Sequence, residues 1–600
     1  MTRSIKLMLT GALALPVLLA GVQPGATAQT ATTKHKVKAA RSAEPSEELR
    51  EIRAMREDLQ KQIDELKRQL ADRDAKLNAA TQSVEQAKAA VVVATAKADE
   101  AASSSLQNDG SVKDLQGQIN TLQVSDAAAI KTVTDTTKKL ADAVESPTAL
   151  HYKGVTIAPL GFLAAEAVYR SRSINSDINT PFNSTPFMNS DQAHTSELNG
   201  SGRQSRIGAI VTGQLPWAKL TGFYEADWLS AGVTSNNNQS NSYTLRQRQV
   251  WGQAALTHGF TFTGGQMWSL VTETKKSTNN ATENLPMTID PQYHVGFSWA
   301  RQYGLRFQQA IGTKATIALG LEQAQTIFSA AGSVPTNFFY GSTGTSGGLY
   351  NAFNGTYTNN VAPDVIVKAA YDARYGHYEI GGVMRFFRDR YYPATTTSVG
   401  ATNDTAVGGG LIANARFPVT TKLDIGLHVM TGTGVGRYGT SGLPDVTIEA
   451  SGTAANLIST FAPLKSHQGL LSLELHPTKK LDLFGYAGAE YVQRTTFINP
   501  VTGLVEGYAP ITAANGGCNT EPPTVVGGGT TPAVAACGAV TRAVIEGTVG
   551  YLYRFYNGPK GKLQYSVAYS YLKRESWTGT GGSPNATNNM VFTGFRYYMP

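Results

Sequence analysis

Only two cysteines, Cys518 and Cys537, occur in 600 residues, so neither a multi-disulfide framework nor a cysteine-built metal cluster organises this chain. Charged residues are also scarce at 16%, and that scarcity beside 26 Tyr and 21 Phe excludes a disordered polyelectrolyte. No run of 18 consecutive apolar residues follows residue 28, which excludes a membrane-spanning helix in the rest of the chain. Nine His are scattered without metal-ligand spacing. Between residues 44 and 144 there is no Phe, Trp or Tyr at all. What is plentiful is glycine, 60 residues, and tyrosine, a composition that leans towards β-structure with many turns.

The first segment reads as an export signal. Arg3 and Lys6 precede the apolar stretch Leu7 to Val22, and Ala26-Thr27-Ala28 before Gln29 fits a small-x-small cleavage site, so residues 1–28 are expected to be removed. A short basic segment, 29–44, follows. Over 45–147 apolar residues recur at alternating three- and four-residue steps. Leu49, Ile52, Leu59, Ile63, Leu66, Leu70 and Leu77 share one a/d frame, interrupted by Arg56 and Arg73. The frame weakens through Asn108-Asp109-Gly110 and resumes at Val112, Leu115, Ile119 and Leu122. The pattern predicts an α-helical coiled coil ending before Pro147.

Beyond Pro147 the period changes from 3.6 to 2. Leu423-Asp424-Ile425-Gly426-Leu427-His428-Val429 alternates apolar with polar or small, as do Leu471 to Leu475 and Leu563 to Tyr571. Seven short turn-forming connections are legible: 214–219, 257–259, 311–314, 374–377, 417–422, 476–480 and 556–562. Between them lie eight long polar stretches, near 171–203, 231–242, 272–291, 327–360, 391–405, 435–463, 496–540 and 576–588. Fifteen connections alternating long and short make sixteen antiparallel strands. This is the layout of an all-β transmembrane barrel over 148–600, with short turns on the periplasmic side and long loops outside. Ile545, Val549, Tyr551, Tyr553 and Phe555 on one face, and Phe595 and Tyr597 on another, supply the lipid-facing wall and its aromatic rim.

Several strings resemble one family. Residues 362–385 read APDVIVKAAYDARYGHYEIGGVMR: a Pro-Asp, then a Gly-His turn, then Gly-x-x-Arg on the returning strand. Ser205-Arg206-Ile207-Gly208, Tyr224-Glu225-Ala226-Asp227-Trp228, Arg246-Gln247-Arg248, Gly434-Val435-Gly436-Arg437-Tyr438 and Pro444-Asp445 are similar in the same way. Together they resemble the DcaP-type trimeric outer-membrane porins, relatives of the phosphate-selective porins. The resemblance implies a periplasmic coiled coil before a sixteen-stranded barrel, a homotrimer, and passive uptake of small, often anionic solutes. It also implies that the third long loop, 271–291, folds inward, which makes Lys275 and Lys276 candidates for the pore.

Parity alone assigns the inner wall when the apolar set is taken as outward. The inward set includes Glu166, Arg170, Glu225, Asp227, Arg246, Arg248, Arg306, Lys368, Asp372, Glu379, Arg385, Glu546 and Arg554. Residues 148–600 carry 32 Lys+Arg against 25 Asp+Glu, whereas 29–147 carry 18 against 19, so the positive excess belongs to the barrel. A cationic lumen in a low-dielectric wall concentrates anions. Arg246, Arg248, Arg306 and Arg385 are the expected anion contacts, with Glu225 and Asp227 as acidic partners. Cys518 and Cys537 lie in the longest loop of an exported chain and are expected to form a disulfide.

No cofactor, metal or nucleic-acid partner is expected, and no enzyme activity. Gly344-Thr345-Ser346-Gly347-Gly348 has the spacing of a nucleophile elbow without its strand-turn-helix context, and Gly434 to Gly439 matches GxGxxG without opening a helix. The reading is therefore an outer-membrane porin for small hydrophilic anions. The alternative is an envelope tether, with the barrel as anchor and the coiled coil reaching towards peptidoglycan.

Overall fold

The computed structural model describes residues 109–145 with parts of 83–97, and residues 149–600 apart from 231–243, 330–333, 344–355, 395–396 and 522–535. The expected signal 1–28, the basic segment 29–44 and the apolar seam from Leu49 to Leu77 lie outside the described residues. Two compact units are present, Met1–Asp135 and Thr136–Pro600.

In the first region the helix α1 (Asp109–Glu145) begins within the tripeptide expected to interrupt the pattern. Its apolar residues Leu122, Val124, Ile130 and Val133 are all exposed. Leu122, Ile130 and Val133 fall on one face of the helix, and apolar surface left in water gains from a partner.

The second unit is a closed antiparallel barrel of sixteen strands. They are β1 (Val155–Arg170), β2 (Arg206–Gln214), β3 (Ala218–Ser230), β4 (Thr244–Leu256), β5 (Phe260–Trp268), β6 (Arg301–Ile311), β7 (Ala315–Glu322) and β8 (Asp364–Ala373). The second half comprises β9 (Gly376–Tyr391), β10 (Thr402–Thr420), β11 (Leu423–Thr433), β12 (Lys465–Leu475), β13 (Leu481–Val492), β14 (Thr541–Gly558), β15 (Gly561–Ser576) and β16 (Asn585–Tyr598). Each pairs with its neighbour in sequence. β1 closes the ring by pairing with β2 (Ile157 opposite Val211) and with β16 (Ala165 opposite Phe595). Closure leaves no sheet edge and satisfies the backbone of every strand. The seven short turns all gather at one end and the eight long loops at the other, as the spacing of connections predicts.

The burial pattern inverts that of a water-soluble protein. Along β13, Asp482, Phe484, Tyr486, Glu490 and Val492 are buried, while Leu483 faces outward with Ala487 and Ala489. Arg170, Arg248, Lys368 and Arg385 are among the largest fully buried side chains, whereas Ile380, Leu411, Leu427, Leu471 and Val549 are exposed. Charge inside and apolar surface outside belong to a barrel whose outer solvent is hydrocarbon.

One irregularity bears on the inner wall. Glu225 opposes Gln249 but Ala226 opposes Gln247, so Arg248 is an extra residue in β4. Strict alternation fails at this bulge: Arg246 and Arg248 point inward, and beyond them Trp251 does too, stacking on Phe223 at 5.1 Å.

The long-loop end carries its own small structures. A hairpin of 446–453 with 456–463 packs Val446, Ile448 and Phe461 against Phe338 and Phe387. Cys518 and Cys537 are disulfide-bonded beside Phe187 and Ala586, within reach of the first loop, where Asn189 N donates to Cys518 O.

Candidate functional site

The connection between β5 and β6, residues 269–300, lies inside the barrel, and the inner wall holds it by its backbone. Wall carboxylates accept from five of its N–H groups among the described residues. Leu270 N donates to Glu322 (2.7 Å), Thr274 N to Glu379 (3.2 Å), Ser277 N to Asp372 (3.1 Å), Val295 N to Glu546 (2.9 Å) and Gly296 N to Glu490 (2.9 Å). These acceptors stand on β7, β9, β8, β14 and β13, so the loop is fastened across the lumen. Lys368 of β8 adds a donor to Thr272 O at 2.9 Å, and Arg416 of β10 pairs with Glu273 at 3.0 Å. A loop carried inside would otherwise strand its peptide groups away from water, and the ring of acceptors removes that cost.

Close approach to the wall depends on two glycines. A Cβ on Gly488 of β13 would collide with Val295 O, and one on Gly296, whose φ is +86°, would collide with Gly469 O of β12. Burial shifts several ionisable groups of the loop. It pushes the Asp290 carboxyl up to about 7 and His294 down to about 4.

Where the end of this loop meets β4, β5, β6 and the loop after β11, there is a cavity of about 320 Å³. Four arginines line it: Arg246, Arg248, Arg301 and Arg437, with Trp299 and Gln302. Arg248 is 1% exposed, pairs with Glu225 at 2.8 Å and Asp227 at 3.1 Å, and donates to Tyr293 Oη at 2.6 Å. Arg246 shares Asp227 (2.9 Å) and is 35% exposed, so half of its fork stays open to the cavity. Arg437 donates to Gln325 O at 2.8 Å and lies 3.6 Å from Asp364. Arg301 differs from the other three. Its guanidinium lies 4.9 Å from the Trp268 ring and 4.8 Å from the Trp299 ring, and its Nη1 is buried without a hydrogen-bond partner. Among the described residues it has no carboxylate partner. A cation against two indole rings, with an unsatisfied N–H beside a cavity, attracts an anion.

The sequence-derived candidates therefore separate. Arg246, Arg248, Glu225 and Asp227 come together at this cavity. Arg306 and Arg385 do not line it. Arg306 donates to Trp268 O at 2.5 Å and Thr278 O at 3.4 Å, holding the inward loop. Arg385 pairs with Asp364 (3.1 Å) and Asp445 (2.6 Å) and donates to Gln325 O, tying two long loops together. Lys275 and Lys276 are exposed at the loop's turn, between the residues anchored on Glu379 and Asp372. Arg301 escaped sequence reading because alternation puts it in step with the outward Tyr303, whereas the side chain lies against Trp268 and Trp299. The aromatic context Trp299-Ala300-Arg301 was the available signal. Among the described residues no cluster of His, Cys, Asp and Glu is arranged to hold a metal.

No protein-family model matches the chain, and no curated protein matches it in sequence. Solved structures do match. The outer-membrane channel DcaP of Acinetobacter baumannii superposes with a TM-score of 0.50 at 14% identity, over 75% of this chain and all of that one. The anion-selective porin of Comamonas acidovorans (TM-score 0.39, 10% identity) covers 74% of this chain and 100% of its own. Salmonella typhi OmpF in complex with daunomycin (0.39, 9%) covers 75% and 100%. The chain has the porin fold, and of these structures the DcaP channel is the one that carries the likeness.

Proposed function

We propose that the chain is an outer-membrane porin through which small hydrophilic anions, carboxylate- or phosphate-like, diffuse passively. The observation that carries this reading is Arg301, a cation without a carboxylate partner among the described residues, at a cavity lined by three more arginines beneath a loop that narrows the lumen. In a confined low-dielectric passage such a charge raises the local concentration of anions and repels cations. The net positive charge of the barrel acts in the same direction. On this reading the signal 1–28 is cleaved, the short turns face the periplasm, and the long loops face outside.

We further propose that three copies assemble and that the segment 45–147 forms the periplasmic coiled coil of that trimer. The exposed apolar residues of α1 support a helical partner. The same exposed face supports the second reading, a tether towards peptidoglycan. The two separate in one experiment. Purified full-length protein in planar bilayers gives discrete conductance steps if it is a porin, while a pure anchor gives none.

A further inference from the structure

The outer face of the barrel is uneven at its long-loop end. Arg388 and Arg390 of β9, Lys465 of β12 and Lys573 of β15 alternate with inward residues and so point away from the lumen, and Arg542, the extra residue of a bulge in β14, is exposed and joins them by pairing with Glu575. One outward carboxylate accompanies them: Glu575, which is 2.5 Å from Arg542 and 2.7 Å from Lys573. At the corresponding ends of β16 and of β1 to β8 the outward residues include Asn589, Tyr169, Trp228 and Tyr303, and the one cation of outward parity among the described residues, Arg301, is turned onto the Trp268 and Trp299 rings. The cations are thus confined to one arc, β9 to β15, about 30 Å wide at about 4.8 Å per strand.

Neutral groups hold the arginines in place. Arg388 Nε donates to Thr405 Oγ1 and Arg390 Nη1 to Asn403 Oδ1, both at 3.0 Å, and Arg390 lies over the Tyr392 ring at 5.3 Å. Neither they nor Lys465 are ion-paired among the described residues. Each fork is oriented and keeps further N–H groups to offer. The same outer faces run directly into apolar wall. Met384 lies four residues before Arg388, about 13 Å along the strand, and Leu471 and Ile545 follow below Lys465 and Arg542.

We propose that this arc binds the phosphorylated headgroups of a glycolipid in the outer leaflet of the membrane. The inference rests on the outer-membrane reading above, which sets the long-loop end outside. A single small anion would need a concave site, and the arc is broad and convex. A row of five cations against one acid, standing just above a hydrocarbon-facing wall, fits many phosphates presented in a plane. A second copy of this chain is disfavoured on the arc, because like charges would meet across a symmetric contact.

The test uses the full-length protein in phosphatidylcholine nanodiscs containing either bisphosphorylated lipid A or the same lipid with its phosphates removed. Lipid retained per barrel is read by native mass spectrometry and barrel unfolding by Tm. Bisphosphorylated lipid A is expected to be retained and to raise Tm, and the dephosphorylated lipid to do neither. Replacing Arg388, Arg390, Lys465, Arg542 and Lys573 by Gln together should cut retention at least tenfold. Replacing Lys219, Lys422, Lys479, Lys480 and Lys560 by Gln at the short-turn end should leave it unchanged. Equal retention of both lipids by the unmodified protein overturns the proposal, even if the fivefold variant does not fold. So does a folded variant that keeps its lipid, equal loss in the control set, or a variant that changes only the number of associated copies. Conductance of the unmodified protein, measured alongside, reports on the porin reading separately: a lipid result of either sign leaves it standing.

Discussion

Arg301 carries charge that Arg246 and Arg248 share with Glu225 and Asp227. Replacing it by Gln removes a cation that is in no direct ion pair among the described residues, so anion selectivity should fall and stability should change little. Replacing Arg248 instead takes one cationic partner from each of two buried carboxylates, leaving Glu225 with Arg206 and Asp227 with Arg246, and should cost about 1–3 kcal/mol of stability, read as a lower unfolding midpoint. Asp290 gives a pH-dependent case. Its carboxyl lies buried in the inward loop with Oδ2 unpartnered, and burial raises it to about 7 from an ordinary value near 4. A raised acid binds its proton more tightly in the folded state, so its contribution is full below pH ~4 and is lost as pH climbs to ~7. Asp290→Asn should therefore be more stable than the parent above pH 7, by a few kcal/mol at most, and the difference should vanish near pH 4. Thermal unfolding across pH checks this, and a constant difference would contradict it.

The inward loop is the element on which pore size depends. Its seat requires the bare backbone of Gly488 and Gly296 and the acceptors Glu490 and Glu546. Gly488→Val drives a side chain into Val295 O, so the loop must leave the wall and single-channel conductance should rise with noisier open levels. Unchanged conductance would mean that the loop does not narrow the passage. The strands themselves were legible because their alternation and turn chemistry are local. All seven short turns fall where Gly, Asn, Pro and Lys clusters place them. The loop's path was not local information. Nothing in 269–300 announces that carboxylates fifty to two hundred and fifty residues away accept its N–H groups, and only resemblance to a family suggested the fold inward. Likewise the bulge at Arg248 reverses side-chain parity for Trp251, which no count along β4 reveals. At the long-loop end the Cys518–Cys537 bond closes a loop of about 20 residues, worth up to roughly 3 kcal/mol. Reduction should lower the unfolding midpoint while leaving conductance unchanged.

At the scale of the whole molecule, mean hydropathy hides the membrane because each strand averages an apolar outer row with a polar inner one. Formal charge hides its own distribution as well: the excess belongs to the barrel, and the structure divides it between an inner cavity and an outer arc. Arg306 and Arg385 do face inward, yet they are spent on backbone carbonyls and carboxylates. Parity reports which side of the wall a residue occupies and not what already satisfies it.

The reversal potential of purified protein in a planar bilayer under a tenfold KCl gradient decides whether this cavity passes anions. Its sign should show chloride preferred over potassium, and replacing Arg246, Arg301 and Arg437 by Gln should move it towards zero. A cation-selective unmodified channel, or a triple variant with the parent's potential, would contradict the assignment of an anion passage to this cavity.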